Sequence, residues 1–147
     1  MSSYTDLHYH LVFGTKNRTP WIEIEWRDRF HQYLGGMVRQ LDGVAESVGG
    51  VKDHVHLLVH LKQSHRIQDF MRELKRGSSV WVHQTIKISE FEWQQGYGAF
   101  SVSSSQRPTI SRYIQNQEDH HTKISFKEEL EQLLKKMGIT YKPKYLP

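Results

Sequence analysis

Asp53-His54-Val55-His56-Leu57-Leu58-Val59 is the stretch from which the architecture can be read. Side chains of a strand alternate between two faces, so Val55, Leu57 and Val59 line one side while His54 and His56 stand together on the other. The Val/Leu side suits a strand lying against a hydrocarbon core. The imidazole side has two readings, a chelating pair for a cation or a polar pair on a covered face. A lone His-x-His pair does not choose between them.

Outward from this stretch, His54–Leu61 is predicted as a strand, preceded by a strand over Val44–Val51 and a tight turn at Lys52-Asp53. Near the N-terminus Asp6–Phe13 alternates Leu7, Tyr9, Leu11 and Phe13 against His8, His10 and Val12, a strand with two distinct faces. From Trp21 to about Leu41 the residues Ile22, Trp26, Phe30, Tyr33, Leu34, Met37 and Leu41 recur at helical spacing, and Asp42-Gly43 ends the run. A second helix is expected from Ser64 to about Lys87, with Ser64 as its cap, a stripe of Ile67, Phe70, Met71 and Leu74, and a bend at Gly77-Ser78-Ser79. Phe91–Trp93 and Tyr97–Val102 are short strand candidates. Pro108 opens a helix over Thr109 to about His121. A last helix runs from Phe126 to Met137, closed by Gly138, before an extended tail.

The order β-α-β-β-α-β with appended helices is the ferredoxin-like (RRM-like) α+β arrangement. One domain over residues 1–147 is expected, with the core in 6–103, C-terminal helices in 108–137 and the tail in 138–147. The first and third strands become central neighbours. One sheet face packs on the two crossing helices, and the other is left for a ligand or for the C-terminal helices. Such a fold does not fix a function.

Composition narrows the classes. The 147 residues include no cysteine, which excludes disulfides, thiolate metal sites and a thiol nucleophile. No stretch approaches the roughly 20 apolar residues of a membrane span. The N-terminus lacks the basic-then-apolar pattern of a secretory signal, so a cytoplasmic protein is expected. A net charge of +4 is compatible with a nucleic-acid partner. Lys16 and Arg18 after the first strand, and Arg72, Lys75 and Arg76 on the second helix, are candidate phosphate contacts, though solvated faces look the same. His8, His10, His60, His120 and His121 are expected as polar residues on a partly covered surface.

A second constellation lies in Ile110-Ser111-Arg112-Tyr113-Ile114-Gln115-Asn116-Gln117. Tyr113 and Gln117 are one helical turn apart on one face. Taken alone this is an amphipathic helix with a packed tyrosine and a solvated glutamine. Taken with the histidines it acquires a chemical meaning. Two neutral imidazoles and an amide oxygen leave a divalent cation its full charge and open positions, and such an ion polarises a phosphodiester. A phenol, with an ordinary pKa of about 10, then serves as nucleophile. The products are a phosphotyrosine ester and a free deoxyribose hydroxyl. The ester conserves the bond energy, so rejoining needs no nucleotide cofactor.

Five segments recur in order along nearly the whole chain: Tyr9-His10-Leu11-Val12-Phe13 with Thr15-Lys16; Asp53 to Val59; Trp93-Gln94-Gln95-Gly96-Tyr97-Gly98-Ala99-Phe100-Ser101-Val102-Ser103; Tyr113 to Gln117 with His120-His121; and Gly138-Ile139-Thr140-Tyr141 to Lys144-Tyr145-Leu146. In these segments the chain resembles the single-tyrosine HUH transposases, the small TnpA enzymes of the simplest bacterial and archaeal insertion sequences. The resemblance implies His54 and His56 as metal ligands, Gln117 as the third, Tyr113 as nucleophile, and Mg²⁺ or Mn²⁺ as the ion, although imidazoles equally suit zinc. It further implies a 5′-phosphotyrosine intermediate on single-stranded DNA, recognition of hairpins, and a homodimer in which one subunit's tyrosine helix completes its partner's site. A DNA-bound protein of this kind would be nucleoid-associated, without membrane or small-molecule partners. The alternatives are a domesticated relative acting on repeated palindromic elements, which the short C-terminus disfavours, a non-catalytic nucleic-acid-binding module, and a metal-dependent hydrolase that leaves Tyr113 idle.

Overall fold

Strands β1 (Leu7–Gly14), β2 (Val44–Gly50), β3 (His54–Leu61) and β4 (Gly98–Val102) form one antiparallel sheet in the computed structural model, which describes residues 1–147. Their order is β2-β3-β1-β4, so the first and third strands are the central pair, as the ferredoxin-like arrangement requires. The register places His10 opposite Leu58, Val12 opposite His56 and Gly14 opposite His54. Residues of like facing therefore meet across the pair.

Helices α1 (Ile24–Gln40) and α2 (Ile67–Trp81) cover one face. Between them and the sheet lie Leu11, Phe13, Val55, Leu57 and Val59 from the strands, with Phe30, Leu34, Phe70, Met71 and Leu74 from the helices. Phe30 is fully buried and stacks on Trp81 at 5.7 Å and Trp93 at 5.9 Å between ring centres. Burying one such side chain contributes roughly 1.5–3 kcal/mol.

Helices α3 (Arg107–Gln115), α4 (Gln117–His121) and α5 (Phe126–Lys136) cover the other face. Ile114 packs on Leu58 and Val102, while Phe126 and Leu130 pack on Val12 and Phe100. Close approach of α3 depends on Gly49, because a Cβ there would strike the Ile114 carbonyl oxygen. Ser125 and Glu128 form a capping box at the start of α5, each side chain satisfying the other's backbone N–H. An open aromatic platform for base stacking is thus absent: the candidate face carries imidazoles and is roofed by helices. No helix is long and apolar enough to cross a membrane.

Tertiary contacts move several expected boundaries. The first helix begins at Ile24 rather than Trp21, because the Ile22 N–H donates to the Lys52 carbonyl and ties this segment to the β2–β3 turn. Ser64 does not cap α2; Arg66 holds that position without a side-chain bond, and the preceding turn is closed by the Lys62 N–H donating to His65 Nδ1. Gly77-Ser78-Ser79 continues the helix. Gly77 lets Met37 of α1 approach, and the Ser78 hydroxyl donates to the Leu74 carbonyl while accepting the Trp93 indole N–H. Beyond Trp81 the chain widens into a π-helical turn, Val82–Ile86, that stops at Lys87 in the left-handed region (φ 70°). Phe91–Trp93 contributes only a Thr15–Trp93 bridge. The helix expected to run from Thr109 to His121 starts at Arg107 and breaks at Asn116 (φ −99°, ψ 24°).

Candidate metal and tyrosine site

Strand alternation alone puts His54 and His56 on the face roofed by α3–α5, and both are completely buried. Their orientation comes from neighbours. His54 Nδ1 donates to Asp53 Oδ1 at 2.7 Å, and His56 Nδ1 meets His10 Nε2 at 2.8 Å. With both Nδ1 atoms engaged, both Nε2 atoms aim at the same region beneath α3 and α5. Such partners on the far ring nitrogen are what fix the tautomer and direction of ligating histidines.

Gln117 reaches that region because of the break at Asn116. Its Oε1 lies 3.1 Å from His54 Nε2, and its Nε2 donates to Glu129 Oε2 at 3.0 Å. A residue read as solvated in an unbroken helix is almost fully buried. Tyr113 stands beside it, half-buried, with its ring edge-on to His56 at 5.7 Å between centres. The Tyr113 hydroxyl donates to Glu129 Oε2 and lies 3.4 Å from His120 Nε2. All four residues singled out in the sequence, His54, His56, Tyr113 and Gln117, are therefore brought together within one chain.

Two further residues join them. Glu129, on α5 and almost inaccessible to solvent, extends Oε1 to within 2.9 Å of His56 Nε2 and 3.1 Å of His54 Nε2. His121, at the end of α4, brings its Nε2 to 3.1 Å from the same oxygen. The ligating atoms of His54, His56, His121 and Glu129 lie within 4.8 Å of one another, a donor set able to hold a divalent cation. From sequence alone His121 is expected on a partly covered surface, and Glu129 does not stand out. The available signal for Glu129 is an acid inside an apolar stripe, Phe126-x-x-Glu129-Leu130-x-x-Leu133, where a solvated residue would be out of place. His8 and His10 are buried too: His10 supports His56, and His8 sits between Asp6 and Glu46 with His60 stacked on it at 4.4 Å.

Charge follows burial and pairing. Burial lowers the pKa of His56 to about 4 and that of His10 to about 3, so both are neutral near pH 7. Burial also disfavours the charged form of His54, but hydrogen bonds and charge from Asp53 and Glu129 outweigh it and raise its pKa. Burial and the adjacent Glu129 charge raise the Tyr113 pKa well above the phenol value, holding the hydroxyl neutral in this arrangement. Burial works against ionisation of Glu129, yet hydrogen bonds from the surrounding histidines overcome it and keep the carboxylate charged.

The basic residues separate into two groups. Arg18 shares a groove with Asp53, His121 and Lys123 at the edge of the site, on a loop where Asn17 and Arg18 both adopt positive φ (57° and 56°). Lys16 pairs with Glu92 at 3.3 Å. Arg72 and Arg76 lie on α2, across the sheet from the histidines, within reach of Asp69 and Glu73. Lys75 donates to the carbonyls of Gln94 and Gly96, and its half-burial lowers its pKa.

Comparison with known proteins gives this constellation a family. The family model described as "Transposase IS200 like" matches residues 3–117, from before β1 to Gln117. The ISDra2 transposase TnpA of Deinococcus radiodurans is 28% identical over 119 residues, covering 77% of this chain and 85% of that protein. The crystal structure of a transposase from the same organism superposes with a TM-score of 0.61 at 27% identity, covering 80% of this chain and 95% of that one. A REP-associated tyrosine transposase bound to a REP hairpin gives the same TM-score at 13% identity, over 82% and 74% of the two chains, a likeness of fold alone. A match spanning strands, helices and the Tyr113–Gln117 segment leaves one assignment: the chain belongs to the IS200-like transposase family.

Proposed function

We propose that this transposase cleaves and rejoins single-stranded DNA at hairpin-bearing element ends through a 5′-phosphotyrosine on Tyr113, with His54, His56 and Gln117 holding a divalent cation, Mg²⁺ or Mn²⁺. One observation carries the reading: Tyr113, Gln117 and the Nε2 atoms of two buried histidines converge although α3 and β3 are far apart in sequence. A cation bound there would polarise the phosphodiester and stabilise charge on its oxygens.

The chain's own groups do the rest. Asp53 and His10 hold the two imidazoles in register, and α3 fixes the direction of the phenol. Tyr113 Oη forms a bond to phosphorus, the P–O3′ bond breaks, and the phenol proton passes by way of Glu129 Oε2 to the departing 3′-oxygen. Attack by another strand's 3′-hydroxyl reverses the sequence and restores the tyrosine. Roofing by α3 and α5 keeps water from competing for the ester. Single-domain organisation over residues 1–147 and action on DNA in the cytoplasm are parts of the same reading.

The resemblance implies a homodimer that exchanges tyrosine helices. Here Tyr113 lies against the His56 of its own chain, and complementation between variants distinguishes this arrangement from exchange. Incubation with a labelled hairpin-bearing single strand and Mn²⁺ should give a denaturation-resistant adduct with the parent protein and none with Tyr113→Phe. An adduct from the variant would reassign the nucleophile, and cleavage without any adduct would indicate attack by water. Mixing Tyr113→Phe with His56→Ala should restore no adduct if the site is self-contained; restoration would establish exchange. Lys16, Arg18, Arg72, Lys75 and Arg76 are assigned to phosphate contacts; Arg18 borders the site, whereas the other four are each engaged by a carboxylate or a carbonyl. Alanine at Arg72 and Arg76 should flatten the salt dependence of hairpin binding by up to about one unit of log–log slope for each phosphate no longer neutralised. An unchanged slope removes α2 from the interface.

A further inference from the structure

His121 and Glu129 lie beyond residue 117, where the family match ends, and the reading above assigns neither to the cation. Their hydrogen bonds define what they can do. His121 Nδ1–H donates to the Ile124 carbonyl at 2.9 Å, which turns Nε2 into the site. That Nε2 is buried, has no hydrogen-bond partner, and faces Glu129 Oε1 at 3.1 Å. His54 repeats the pattern: its Nδ1–H is engaged by Asp53, and its Nε2 faces Gln117 Oε1 and Glu129 Oε1, both at 3.1 Å. The Gln117 amide orientation is set by its Nε2 donating to Glu129 Oε2.

Two imidazole nitrogens, an amide oxygen and a carboxylate oxygen therefore converge, and only imidazole protons, or a cation in their place, can bridge them. A third imidazole nitrogen, His56 Nε2, stands 2.9 Å from the same carboxylate oxygen. Buried lone pairs facing one another repel unless a positive centre sits among them. The second oxygen of Glu129 turns away to Tyr113 and Gln117, so the carboxylate ties the acceptor cluster to the nucleophile.

We propose that His121 and Glu129 are cation ligands alongside His54 and His56, making a three-imidazole, one-carboxylate site with the Gln117 amide at its edge. Such a set prefers a transition ion such as Mn²⁺, Co²⁺ or Zn²⁺ over Mg²⁺, which favours oxygen ligands and retains water. The proposal rests on the function proposed above and adds to it the ligands and the class of ion.

Chelator-treated full-length protein, titrated with Co²⁺, Mn²⁺ and Mg²⁺ separately by calorimetry and, for Co²⁺, by its visible absorption, tests this without DNA. Parent protein should bind Co²⁺ more tightly than Mg²⁺, with Mn²⁺ between the two. His121→Ala and Glu129→Gln should each weaken Co²⁺ binding by at least the roughly 10–100-fold that loss of a mere supporting partner costs, and should change its spectrum. Circular dichroism verifies that each variant is folded. Co²⁺ affinity unchanged in both variants but lost in His56→Ala would overturn the proposal while leaving the transposase site intact. A Glu129→Gln protein that keeps its Co²⁺ affinity and forms the DNA adduct faster would also overturn it, making Glu129 a stopper rather than a ligand. Binding indifferent to His54→Ala and His56→Ala would sink the underlying assignment instead.

Discussion

The two faces of β3 differ in nearly everything except the backbone that joins them. On one, Val55, Leu57 and Val59 press into a core of aromatic and aliphatic side chains, where shape and area decide the energy. On the other, His54 and His56 are equally buried but face nitrogens, oxygens and a charged carboxylate. The first face lowers the free energy of the fold. The second takes polar groups out of water and recovers little unless every lone pair finds a partner. One strand thus carries stability and chemistry back to back, and a change on one side should leave the other's property nearly intact.

The sharpest way to break this separation is a pair of variants. Tyr113→Phe removes one hydroxyl and should abolish the adduct, while stability moves by no more than about 1–2 kcal/mol, the scale of one hydrogen bond. Phe30→Ala, on the apolar face, should cost about 3–5 kcal/mol in urea unfolding yet leave adduct yield per folded molecule unchanged. Loss of adduct by folded Phe30→Ala would show that the faces are coupled.

A smaller effect is expected where the chemical face is spaced from the sheet. Gly49→Ala drives a methyl group against the Ile114 carbonyl, so α3 must retreat from β2 and carry Tyr113 with it. Misplacement by about 1 Å should slow adduct formation on the order of 100-fold, with a stability loss of about 1–3 kcal/mol from overpacking. Normal adduct kinetics in this variant would mean that α3 is positioned by something other than its packing on β2.

The smallest effect concerns His31 on α1, whose pKa burial lowers to about 4, aided by the nearby Arg27 and opposed by Asp28. Its Nε2 has no hydrogen-bond partner, and Glu118 and Asp119 line the same groove. Between pH 6.5 and 4 the unfolded chain protonates this ring while the folded chain resists. Its contribution to stability is therefore complete above pH 6.5 and is lost as pH falls toward 4. His31→Gln should reduce the fall in melting temperature over that interval, at roughly 3 °C per kcal/mol recovered. Identical pH profiles would remove His31 from the acid response.

Much of the molecule is legible in the sequence. The alternation in residues 7–13 and 54–61 defines both faces of the central strands, and helical spacing locates α1 and α2 to within a few residues. His54, His56, Tyr113 and Gln117 all stand out in the sequence. Glu129 does not, because neighbouring glutamates look alike: Glu128 caps α5 at the surface, and Glu129, one position on, enters the buried site. The two adjacent histidines pose the same difficulty. His120 is partly exposed beside the phenol, whereas His121 turns inward to the carboxylate.

Periodicity is a local property, set by the geometry of the backbone and the side-chain pattern written on it. The sequence by itself therefore determined the order and approximate extent of the main strands and helices, which faces are apolar, and that two imidazoles share a side. Only the tertiary structure decided that the chain breaks at Asn116, that Gln117 is buried, and that His121 and Glu129 converge on β3. Those outcomes depend on where α3, α4 and α5 settle on the sheet, and that placement is fixed by packing between elements distant in sequence, such as Ile114 on Leu58 and Phe126 on Val12.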